Sequence, residues 1–194
     1  MLRIVIIRPG SSDFEDVGRI QGTLNIPLSP QGSSEVAQML GELSGAGIEM
    51  LYSSPCQPAL QTAEQIAAGL NVKLKPLDGM QNLDHGLWQG MLIDDVRRKQ
   101  PKVYRQWQEQ PETVCPPEGE MLGQAADRIR TAMTRLLKRH KQGVIGLVLP
   151  EPLATLVRCF IKHEALGDLW KAATEHQPWE ILEVASEQAL TPSR

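Results

Sequence analysis

Ile4-Val5-Ile6-Ile7-Arg8-Pro9-Gly10 decides how the rest of this chain is read. A β-branched run without a charge predicts a strand buried on both faces, and Arg-Pro-Gly predicts an abrupt turn at its carboxyl end. In open α/β sheets, ligands bind beyond the carboxyl ends of such strands, so Arg8 and its neighbours stand at the candidate site. A second apolar run, Val144-Ile145-Gly146-Leu147-Val148-Leu149, predicts a strand beside the first at the centre of the sheet.

The elements around these two strands alternate. Ser29 before Pro30 reads as an N-cap followed by the first helical position, and Val36, Met39, Leu40 and Leu43 give that helix one apolar face, ending near Gly45-Ala46-Gly47. Met50 to Ser53 predicts a short strand, and Leu60, Ala63, Ile66, Ala67 and Leu70 a second helix. Val72 to Leu77 alternates apolar and basic residues, as an edge strand does. A long helix is expected from Gly119 to His140, with Lys138-Arg139-His140-Lys141 at its negative dipole end, and another from Leu153 to about His163. Trp179 to Val184 alternates and closes the sheet. Ser11 to Gln21 reads as a loop, and the tail after Ser186 as loosely ordered. The segment from Asp78 to Pro117 is rich in Gly, Pro and Trp, with short helical pieces such as Ile93 to Lys99. It reads as an insertion crossing the top of the sheet. The sum is a three-layer α/β/α sandwich with a mostly parallel central sheet: one domain over residues 1–194 with a cap-like insertion at about 78–117.

Composition excludes several functions. The chain has 194 residues, 41% of them hydrophobic, enough for a full core. A net charge of −3 argues against nucleic-acid binding. No charged leader precedes the first strand and no apolar run is long enough to span a bilayer, so a soluble, cytoplasmic protein is expected. Cys56, Cys115 and Cys159 are widely spaced and read as free thiols. No His, Cys or acidic pair has ligand spacing at a strand end, so neither a metal nor a cofactor is expected. Trp88, Trp107, Trp170 and Trp179 read as buried anchors sooner than as a binding groove.

Several stretches together resemble the histidine phosphatase superfamily, the phosphoglycerate-mutase-like fold. They are Gly18-Arg19-Ile20-Gln21-Gly22 with Asn25-Ile26-Pro27-Leu28-Ser29 and Gly32, Ser53-Ser54-Pro55 with Gln61-Thr62-Ala63, Gly86-Leu87-Trp88-Gln89-Gly90, and Pro116-Pro117-Glu118-Gly119-Glu120. Their order covers the chain to about residue 160. The resemblance implies phosphoryl transfer to a histidine that follows the first strand in an Arg-His-Gly motif. It also implies a second arginine early in the second helix, a second histidine after the late apolar strand, an acidic proton donor in the insertion, and an asparagine in the first loop. A dianionic group needs such fixed cations, an in-line nucleophile and an acid.

Measured against that pattern, Arg8 and Gly10 match, Pro9 stands for the nucleophile and Pro58 for the second arginine. Glu151 stands for the second histidine, Asn82 for the acid and Glu15 for the asparagine. Loss of a nucleophile alone can cost about 10⁶ in turnover. Reversing one charge about 4 Å from a phosphate removes roughly 4 kcal/mol at an effective dielectric near 20. The expectation is therefore a catalytically inactive relative acting as a binding or regulatory module, with Arg8 paired to Glu151 or Glu15. The alternative is an altered phosphomonoesterase that uses Arg8 as its anion anchor. For it His85, beside Asp84, is the candidate acid or base, whereas His140 and His176 are expected on solvated helix ends. Cys56 is expected to pack in the core. The edge at Val72 to Leu77 leaves room for a homodimer, though Lys73 and Lys75 argue for protection against pairing. Partner and ligand are not named by the sequence.

Overall fold

Alternation along the two apolar strands builds the layers. The structure, a computed structural model, describes residues 1–164 and 177–184. Strand β1 (Leu2–Ile7) lies parallel to β4 (Gly143–Val148), with Ile4 opposite Ile145 and Ile7 opposite Val148. Strand β2 (Met50–Ser53) pairs with β4 and with β3 (Lys73–Pro76), both parallel, while β5 (Trp179–Val184) runs antiparallel to β1. The order is β3-β2-β4-β1-β5, so β1 and β4 are interior, as expected, and Val72 to Leu77 supplies an edge.

Because successive side chains point to opposite faces, Ile4, Ile6, Ile145 and Leu147 bury against α6 (Leu122–Arg139) and α7 (Leu153–Lys162). Val5, Ile7, Val144 and Val148 bury against α2 (Pro30–Leu43) and α3 (Gln57–Leu70). Ser29 caps α2 by accepting from the Gly32 amide at 3.0 Å. Gly32 and Gly10 meet backbone to backbone, since a Cβ on either would collide with main-chain atoms of the other loop. That contact brings the turn after β1 directly onto the start of α2.

Three expectations are corrected. Residues 11–21 are not all loop: α1 (Asp13–Asp16) makes one turn, started by a reciprocal Ser12–Glu15 capping box. The long helix begins at Leu122 and not Gly119, because the Gly119 amide closes a turn onto the Pro116 carbonyl. His140 is not a solvated helix end; it is half-buried, and its Nε2 lies 2.8 Å from the Tyr52 hydroxyl. The 78–117 segment contains short helices, as expected: α4 (Ile93–Lys99) and α5 (Pro101–Glu109). This segment has its own apolar cluster of Trp88, Val96, Trp107 and Val114, joined by Ile20. Trp88 and Trp107 are thus buried anchors, whereas Trp170, His176 and the tail after Ser186 lie outside the described residues. No helix among the described residues is long and apolar enough to cross a membrane.

Candidate functional site

Arg8 leaves the end of β1 and turns to meet two carboxylates. Its Nε donates to Glu151 Oε1 at 2.7 Å and its Nη2 to Glu180 Oε1 at 3.2 Å, while Nη1 donates to the Gln177 carbonyl at 2.9 Å. The side chains are largely shielded, at 12% exposure for Arg8, 17% for Glu151 and 24% for Glu180. Glu151 is occupied on both oxygens, because Oε2 accepts from the Thr155 hydroxyl at 2.8 Å and the Thr155 amide at 3.2 Å. One guanidinium therefore answers two carboxylates, and the cluster carries a net formal charge of −1.

The backbone donors of the same turn are also committed. The Arg8 amide donates to the Pro178 carbonyl at 2.8 Å and the Gly10 amide to Thr62 Oγ1 at 3.1 Å. Ser11 donates to Glu35 at 2.9 Å, Ser12 to Glu15 Oε2 at 3.0 Å, and Pro9 has no N–H. An anion at this strand end needs free amides, free cations or both. Among the described residues this turn offers neither.

The other expected positions are now placed. Glu15 does not reach Arg8; it serves the Ser12 capping box, and Glu180 takes the place expected of it. Pro58 is buried at the second position of α3, where a missing N–H leaves no helical bond unmade. Cys56 caps that helix without a side-chain bond and packs in the core beside Ala59 and Ala63, where burial pushes its thiol pKa up. Asn82 is a clamp: its Nδ2 donates to the Gly22 carbonyl at 3.0 Å and its Oδ1 accepts from the Leu83 amide at 2.8 Å.

His85 and Glu151 share a cavity of about 110 Å³, walled by Leu83, Trp107, Val114, Leu122 and Pro152, with Glu120 as a third polar group. Burial pushes His85 down to about 4, against the opposing pull of Asp84 and Glu120. Asp84 is spent on the Gly86 amide at 2.8 Å, and His85 Nδ1 is buried with no hydrogen-bond partner. The His85–Asp84 pair is thus a loop contact and not a hydrogen-bonded dyad. Glu120 is gripped by Arg128 through two bonds of 2.8 and 2.9 Å. No three His, Cys, Asp or Glu side chains among the described residues are grouped to hold a metal ion.

A family model described as the histidine phosphatase superfamily (branch 1) matches residues 4–190. The chain belongs to the histidine phosphatase superfamily. Phosphoserine phosphatase 1 of Hydrogenobacter thermophilus is 28% identical over 182 residues, which cover 94% of this chain and 86% of that protein. A bifunctional protein of Mycobacterium tuberculosis is also 28% identical, over 147 residues, and the chain spans only 40% of its length. Among solved structures, YhfR of Bacillus stearothermophilus superposes with a TM-score of 0.83 at 21% identity, covering 95% of this chain and 92% of that one. In this superfamily member, the residue that sequence reasoning missed is Glu180. The available signal was the alternation of Trp179 to Val184, which puts Glu180 on one face of a strand without saying what lies beside it.

Proposed function

We propose that this histidine phosphatase superfamily member no longer transfers phosphoryl groups, and that its site serves binding or regulation under a cap formed by residues 78–117 of a single domain. The observation that carries the reading is Arg8 held by Glu151 and Glu180, next to a proline where the superfamily resemblance puts the nucleophile. A phosphate entering there would meet two carboxylates. Each opposes it by roughly 4 kcal/mol at about 4 Å and an effective dielectric near 20. His85 offers no substitute acid, since a ring with a pKa of about 4 is unprotonated at neutral pH.

The names of the relatives make a phosphomonoester the substrate to test first. The experiment is hydrolysis of an aryl phosphate from acidic to alkaline pH, with Arg8→Ala as the contamination control. Wild type and control are expected to coincide at background. Turnover by wild type that Arg8→Ala abolishes would establish the competing reading, a phosphomonoesterase anchored on Arg8.

A further inference from the structure

Two carboxylates stand in the wall of the cavity beneath the 78–117 segment, and the cations that answer them do not. Glu151 and Glu120 line it, whereas Arg8 and Arg128, which bond them at 2.7 and 2.8 Å, lie outside the lining. Among the described residues no lysine or arginine lines it. The negative end of each ion pair therefore faces the cavity. Counting Glu180, which shares Arg8, the surrounding group of two arginines and three glutamates carries a net formal charge of −1. Such a field opposes an anion and favours a cation.

The rest of the wall decides which cation. It is uncharged at neutral pH: Leu83, Val114, Leu122, three prolines, the Trp107 indole and the neutral His85 imidazole. The wall carboxylates already accept from Arg8, Thr155 and Arg128. A primary ammonium brings three N–H donors and a tight hydration shell, which hydrocarbon cannot replace. A quaternary ammonium has no N–H to satisfy and spreads its charge over methyl groups, which pack against aliphatic and indole surface. The cavity of about 110 Å³ suits one such head, since an apolar cavity of about 150 Å³ holds benzene. We infer that this cavity binds a small quaternary ammonium ion, its methyl groups against Trp107, Val114 and Leu122 and its charge answered by Glu120 and Glu151. The inference rests on the reading of the site as one closed to phosphate.

Calorimetric titration of the full chain at neutral pH and constant ionic strength tests it. The probes are tetramethylammonium chloride, methylammonium chloride, inorganic phosphate and tert-butanol, a neutral molecule with as many heavy atoms as tetramethylammonium. Tetramethylammonium is expected to bind saturably, methylammonium and tert-butanol about tenfold more weakly, and phosphate not at all. Glu120→Gln removes a wall charge while Arg128 keeps the Gly79 and Asn82 carbonyls, and is expected to weaken tetramethylammonium about tenfold. Val114→Phe, which fills the cavity, is expected to abolish its binding. If wild type does not bind tetramethylammonium, if tert-butanol or methylammonium binds as tightly, or if Val114→Phe binds it as well as wild type does, the inference fails while the phosphate-closed reading stands. Saturable binding of phosphate to wild type would overturn both.

Discussion

A guanidinium that is fixed on three sides is no longer a ligand for anything else. Arg8 keeps the type and position that the superfamily resemblance implies, yet Glu151 and Glu180 consume it. The Glu151 contact was one of two expected from the sequence, with Glu15 the other, because the superfamily resemblance sets Glu151 at the second histidine's position, after the second apolar strand. Glu180 was not: it sits diagonally across β5, since Ile6 faces Glu180 while the Arg8 amide bonds Pro178, and antiparallel register cannot be read from alternation alone. The same scale yields a pH prediction at His85. Its folded pKa of about 4 lies below the unfolded value of 6.5, so between those limits the unfolded chain takes up a proton that the folded chain refuses. Stability is therefore complete above pH 6.5 and falls as the pH drops toward 4. With the ring half-buried, the loss attributable to His85 is about 1–2 kcal/mol. Urea unfolding at neutral and mildly acidic pH should show His85→Gln losing less stability on acidification than wild type by that margin. Equal losses would remove His85 as the cause.

Elements explain where these side chains point. Ser12 and Glu15 stand at capping-box spacing, so the one-turn α1 carried its signal, but its length is below what periodicity detects. For a different reason, helix α5 was not delimited. Its apolar face is only Val103, Tyr104 and Trp107, less than two turns of signal after Pro101 in a segment otherwise rich in Gly and Pro. The long helices and central strands were legible because burial dictates their composition. Asn82 was legible as a position and not as a role, since its partner, the Gly22 carbonyl, belongs to another loop. Its amide donor ties the first loop to the 78–117 segment. Asn82→Asp should therefore destabilise by about 1–3 kcal/mol in thermal or urea unfolding, by setting a carboxylate against a carbonyl, and should confer no hydrolysis. A neutral or stabilising effect would show that the clamp carries no weight.

At the scale of the molecule, the frame was decided by sequence-local signals and the site by contacts across it. β1 and β4 announce themselves by composition, and their adjacency at the sheet centre follows from burial on both faces. The state of Arg8 depends on residues 143 and 172 positions away, which only the assembled sheet brings within bonding distance. The central claim is that those two carboxylates close the strand end to phosphate. The most direct measurement is the melting temperature with and without millimolar inorganic phosphate, for wild type and for Glu151→Gln/Glu180→Gln, which keeps shape while freeing the Arg8 charge. The account predicts no shift for wild type and a rise of a few degrees, about what binding well above Kd supplies, for the double variant. A wild-type rise as large as that of the variant would contradict it.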